Sequence, residues 1–268
     1  MTSLFESAAA CIAECDVVQK ALSSRETAHR WRSGLLSLTN DAAVSAIGAP
    51  GRPRRPQLVA PRQLPRRGIN SKAGRAALVH AVAHIEFNAI NLAWDAVYRF
   101  RDMPRQYYDD WVRVAEEEAY HFSLLRERLR DLGYDYGDFA AHNGLWAMAE
   151  ETAHDVLVRM ALVPRVLEAR GLDVTPGMIA RLRRAGDEET VALLEIILRD
   201  EIGHVEIGSR WFRWLCGERA MVPESTFREL IGRYMKGQLK GPFHRDARLQ
   251  AGFSEDELAA LEQMDRTA

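Results

Sequence analysis

Hydrophobic positions recur every three or four residues along four long stretches, and each stretch sets one or two ionisable residues into its apolar side. In the run from Val191 to Phe212, Leu194, Ile197, Glu201, His204, Gly208 and Trp211 fall on one helix face. Earlier, Trp111, Val114, Glu118, His121, Leu125, Leu129 and Leu132 do the same. A third stripe, Val79, Val82, Glu86, Ile90, Ala93 and Val97, carries a lone glutamate, and a fourth, Leu157, Ala161 and Glu168, carries another.

The period predicts helices from about Lys72 to Phe100, Pro104 to Leu132, Leu145 onward, and Asp187 to Cys216. Gly133 ends the second, and the loop from Tyr134 to Asn143 is long enough for a crossover. Pro164 lies inside the third pattern and predicts a kink. Thr175-Pro176, soon after Gly171, reads as the cap and first turn of a new short helix. A third helix that stopped at Gly171 would leave Glu168 at its end, so a site built on Glu168 needs the helical path to continue. Residues 3 to about 40 predict one or two further amphipathic helices. Two more are expected near Phe227 to Lys236 and Ser254 to Met264.

A carboxylate and an imidazole in a buried stripe cost several kcal/mol in effective terms unless something compensates them. A bound metal is the simplest compensation, and Glu-x-x-His puts both ligands on one side of a turn. The four helices would supply Glu86, Glu118-x-x-His121, Glu168 and Glu201-x-x-His204, which is the donor pattern of carboxylate-bridged dimetal bundles. Glu118 follows Glu86 by 32 residues and Glu201 follows Glu168 by 33. Two antiparallel hairpins of nearly equal span, with legs of roughly 20 Å at ~1.5 Å per residue, would bring the four glutamates to one level. Glu151-x-x-His154 is a third copy of the motif and competes with Glu168. The two glutamates lie 17 residues apart, about 25 Å along a straight helix, so both cannot reach one site. The hairpin spacing favours Glu168. His80, His84 and Asp200 are candidates to orient ligands from behind.

Composition excludes little and agrees with this. The 268 residues are 47% hydrophobic and 28% charged, as expected for a chain with a substantial core. A net charge of −2 gives no general pull toward nucleic acid or membrane. No signal peptide or uninterrupted membrane-length apolar run is evident, so no membrane partner is expected and the expected location is cytoplasmic. Cys11, Cys15 and Cys216 make no disulfide framework. Residues 48 to 70 differ: five prolines exclude regular helix, and Arg52, Arg54, Arg55, Arg62, Arg66 and Arg67 occur there without an acid. An extended surface connector is the plain reading, and an RNA contact through Arg52–Arg67 the sharper one. The expected organisation is an N-terminal helical segment and connector over 1–70, a four-helix bundle over 71–216 and a helical extension over 217–268.

Three runs carry a resemblance: Ala83-His84-Ile85-Glu86-Phe87, Ala161 through Asp173, and Arg199-Asp200-Glu201-Ile202-Gly203-His204-Val205. With Lys240-Gly241-Pro242-Phe243 they are similar to the domain-of-unknown-function 455 family of the ferritin-like superfamily, over roughly residues 70 to 255. More distantly the pattern resembles the di-iron tRNA hydroxylases, in which a Glu-Ala-Arg run supplies a third-helix ligand, and that carries onto Glu168. The resemblance implies an all-α, ferritin-like four-helix bundle with a carboxylate-bridged dimetal site, iron or manganese, and N- and C-terminal helical extensions. By the same analogy Glu118 and Glu201 would bridge, with Glu86 and His121 completing one ion and Glu168 and His204 the other.

The expected function is an oxygen-dependent oxidase or hydroxylase. It would use O₂, an electron donor and a small-molecule or nucleic-acid-linked substrate. A ferroxidase or other iron-handling protein without organic substrate is the alternative. A homodimer is compatible with the sequence.

Overall fold

A computed structural model describes residues 2–39, 44–65, 68–235 and 239–267. Among them the chain is mostly helical, with a two-residue parallel pairing of β1 (Thr2–Ser3) and β2 (Leu36–Ser37) and an isolated parallel bridge between Leu58 and Ala141. It divides into two compact units, residues 1–150 and 151–268.

In the first unit, α1 (Leu4–Ala13) and α2 (Val17–Arg32) precede the long pair α3 (Lys72–Arg99) and α4 (Arg105–Asp131). Ser71 caps α3 by accepting from the Gly74 N–H, as its residue type favours, and α4 begins directly after Pro104. Gly133, at φ +78°, ends α4 as expected. α3 and α4 pack along their length, α1 lies on α3, and α2 lies on α4. The core is built from residues such as Phe5, Ile90, Trp94, Trp111, Val114 and Leu125, all buried. By length and composition α3 could cross a membrane, but 78% of its most apolar window is buried inside the protein.

The connector is extended apart from a short 3₁₀ turn at Pro61–Gln63. It pairs with the loop after α4 through Val59 N–H to Ala141 O (2.8 Å) and Ala141 N–H to Gln57 O (3.0 Å). Arg52, Arg54, Arg55 and Arg62 are exposed, whereas Arg66 and Arg67 lie outside the described residues. The unit closes with α5 (Gly144–Glu151).

The second unit corrects the expected third helix in two ways. The predicted start near Leu145 belongs to α5, and a turn at Thr152–Asp155 separates it from α6 (Val156–Leu162), which Asp155 caps by accepting from the Leu157 N–H. Beyond α6 no new helix begins at Thr175. A π turn (Val163–Glu168) leads directly into α7 (Ala169–Arg184), which runs through Gly171 and Pro176. Pro164 has no N–H to donate and its ring crowds the preceding turn, so the helix widens there instead of breaking.

α8 (Glu188–Glu218) then packs on α6, the π turn and α7. α9 (Pro223–Tyr234) packs on α6 and α8, α10 (Arg245–Gln250) on α7 and α8, and α11 (Glu255–Thr267) on α9. α10 is an element the periodicity missed, because six residues are too few to show a helical period.

Candidate metal centre

The first unit brings three of the predicted ligands together. Glu86 projects from α3, and Glu118 and His121 project from one face of α4, where a three-residue step returns to the same side. All three are buried, Glu118 and His121 fully so. His121 Nδ1 lies 3.2 Å from Glu86 Oε2 and 3.7 Å from Glu118 Oε2. Each residue offers one ligand atom, and those atoms lie within 4.8 Å of one another. Glu86 is thus paired with His121 across the two helices.

Their protonation shows how costly the arrangement is. Burial and the Glu118 carboxylate push the Glu86 carboxyl well above the usual range, with Glu118 also bonded to it. Burial works to lower His121, but hydrogen bonds and charge from Glu118 and Glu86 outweigh it and hold the imidazole at about 11. With too little counter-charge in a dry core, the Glu86 carboxyl is therefore held toward its protonated form. A divalent cation would supply the missing charge, and two carboxylates with an imidazole form a donor set suited to iron, manganese or zinc. The buried trio could hold a metal ion.

The second unit carries the matching motif. Glu201 and His204 sit one turn apart on α8, both buried, with Glu201 Oε1 3.5 Å from His204 Nδ1. Glu168 is the last residue of the π turn and is also buried. Its rival is placed differently: Glu151 ends α5, His154 lies in the following turn, and both are exposed. His154 uses its ring on the Glu151 carbonyl (3.1 Å) and the Tyr234 hydroxyl (3.2 Å).

Two residues expected to orient ligands are occupied elsewhere. His84 lies 2.8 Å from the Tyr136 hydroxyl through Nδ1 and 3.0 Å from the His142 carbonyl through Nε2. His80 Nε2 accepts from the Gly137 N–H at 2.9 Å. Burial drives both imidazoles down to about 4, so they are neutral supports for the loop after α4. Asp200 lies 2.9 Å from Arg199 Nε.

Sequence reasoning also missed a group in the second unit, Arg165 with Glu257. An arginine inside the apolar run Met160–Val166 was the one signal available, and only the fold reveals its partner.

Comparison with known proteins gives a family and no activity. The family model for "Protein of unknown function (DUF455)" matches residues 13–259. A relative from Haemophilus influenzae, described as an uncharacterized protein, is 49% identical over 222 residues, covering 80% of this chain and 77% of its own length. No solved structure matches.

Proposed function

This chain belongs to the DUF455 family, and from that premise we propose that it is a dimetal, di-iron or di-manganese, carboxylate protein acting as an oxygen-dependent oxidase or hydroxylase. We assign Glu86, Glu118 and His121 in the first unit and Glu168, Glu201 and His204 in the second as the ligands of two ions in a ferritin-like bundle, as the sequence pattern pairs them. The observation that carries the reading is the buried Glu86–His121–Glu118 cluster in one unit, together with the same Glu-x-x-His step buried on α8 in the other. The nearly equal Glu86–Glu118 and Glu168–Glu201 spacings, 32 and 33 residues, support it further.

In this scheme an iron pair would supply the electrons that reduce O₂. The chain's own residues set the conditions. Glu86 Oε2 and Glu118 Oε2 both face His121 Nδ1, so that nitrogen and the two carboxylates are the donors that would share a cation. The buried Ala83 and Ala115, one turn before Glu86 and Glu118 on the same helix faces, and Leu125, one turn after His121, keep those faces apolar. That setting strengthens every charge interaction inside it. The exposed Arg52, Arg54, Arg55 and Arg62 favour an anionic, nucleic-acid-linked substrate within the same scheme. Free Cys11, Cys15 and Cys216 fit a reducing, cytoplasmic setting.

The test is elemental analysis of the purified protein, then anaerobic loading with Fe(II) and exposure to oxygen while absorbance and oxygen uptake are followed. Two irons per chain and oxygen uptake coupled to a mass gain in a cell-extract component are expected. Oxygen uptake fixed by the Fe(II) added, with no organic product, would select the ferroxidase reading. A chain that takes up no metal would end both.

A further inference from the structure

The second unit buries a charge that the metal scheme leaves unused. Arg165 lies in the π turn three residues before Glu168 and is 1% exposed. Its Nη2 donates to Glu257 Oε1 of α11 at 2.6 Å. Its guanidinium stands 4.1, 4.5 and 4.7 Å from the ring centroids of Phe227, Phe253 and Phe212. Nε and Nη1 are buried without hydrogen-bond partners. Burial drives the guanidinium toward losing its proton, and the Glu257 carboxylate opposes this. An apolar pair of the same volume would hold two helices together at less cost, so the retained charge points to a geometric role.

The rest of the same segment is held in the same manner. Asp173, five residues after Glu168, accepts two bonds from Arg248 (2.9 and 2.8 Å) and one from the His244 N–H (2.9 Å). Arg170 donates to the Lys240 carbonyl at 2.8 Å and to the Pro242 carbonyl at 3.3 Å. Residues 165 to 173 are therefore gripped before and after Glu168 by residues 240 to 257. The fork geometry of arginine fixes direction as well as distance, which apolar packing does not. A π turn has a poor intrinsic preference and needs such external support.

We propose that the C-terminal segment is a positioning device for Glu168: Glu257 through Arg165, and Arg248 through Asp173, hold the π turn in the register that presents the Glu168 carboxylate to a metal ion. The proposal rests on the dimetal reading. Glu257 and Arg165 are positioning residues that need not touch the ions.

Anaerobic titration of the full chain with Co(II), followed by its visible absorption bands, tests this. Wild type is expected to take two ions per chain. Glu257→Ala should take the first normally and the second about tenfold more weakly or worse, with altered bands, the usual scale for losing an orienting partner. Glu257→Asp should recover part of that loss, and Glu168→Gln combined with Glu257→Ala should be no worse than Glu168→Gln alone.

A folded Glu257→Ala chain that binds two ions with wild-type affinity and bands would overturn the proposal. If Glu257→Ala does not fold, Arg165→Met with Glu257→Leu keeps the core apolar, and normal binding of the second ion in that variant would overturn it equally. Hydrogen exchange of the metal-free chain separates the two readings. Faster exchange across residues 166–172 with α8 unchanged is expected in Glu257→Ala, and unchanged exchange refutes the grip. Fewer than two ions in wild type would instead sink the dimetal reading.

Discussion

Pro164 lies against the bare backbone of Gly208: a Cβ on Gly208 would fall 2.3 Å from both Cβ and Cγ of the proline ring. Gly208 occupies the stripe of α8 that carries Glu201 and His204, one turn further on. The absence of a side chain there lets the π turn approach α8 closely. Gly208→Ala should gain up to about 1 kcal/mol of helix propensity and lose about 1–3 kcal/mol to overpacking. The net expected is destabilisation in urea unfolding, with the second metal ion bound more weakly.

Metal binding should release protons. Glu86 and His121 both hold theirs more tightly than usual in the metal-free protein, and a ligand must surrender its proton to coordinate. Apparent affinity for a divalent ion should therefore rise steeply with pH across the neutral range. Calorimetric titrations in buffers of different ionisation enthalpy should give a positive proton release, and Glu86→Gln should reduce it. Equal heats in every buffer would contradict this.

Lys20 offers a separate pH signal away from the centre. It is fully buried, and its ammonium donates to the Cys11 and Ile12 carbonyls (2.9 Å each) and Asn91 Oδ1 (2.6 Å). Burial lowers it to about 8, against the weaker opposing charges of Cys11, Cys15 and Glu14. The folded state then prefers the neutral amine, so the unfolded chain binds more protons between about pH 8 and 10.5. Stability should rise through that window by about 3 kcal/mol relative to Lys20→Met, at about 1.4 kcal/mol per unit. Urea midpoints measured at pH 7.5 and 10 for both chains check the sign.

Asp155 holds the start of α6 twice over. Its carboxylate accepts from the Leu157 N–H at 2.8 Å and pairs with both Arg219 amino groups at 2.7 Å. Asp155→Ala should cost about 1–2 kcal/mol, the range for an N-cap, with little added by the half-exposed ion pair. Thermal unfolding checks the loss. Metal content should be unchanged, because α6 precedes the turn that carries Glu168.

The order of hydrophobic and polar residues by itself determined the long helices, the stop at Gly133, and the burial of Glu86, Glu118, His121, Glu168, Glu201 and His204. Such features follow from a helical period and from local hydrogen-bonding chemistry, which a chain carries wherever it packs. Tertiary structure alone decided the rest. Local preference would have ended the third helix at Gly171 or Pro176, an interior proline costing about 3 kcal/mol, yet packing on α8 carries it through to Arg184. Nothing near His84 in the sequence shows that Tyr136 and the His142 carbonyl will take its ring nitrogens, and nothing near Arg165 names Glu257, 92 residues away. Those pairings exist only once distant segments share a core, because a buried polar group must be satisfied by whichever partner the packing brings.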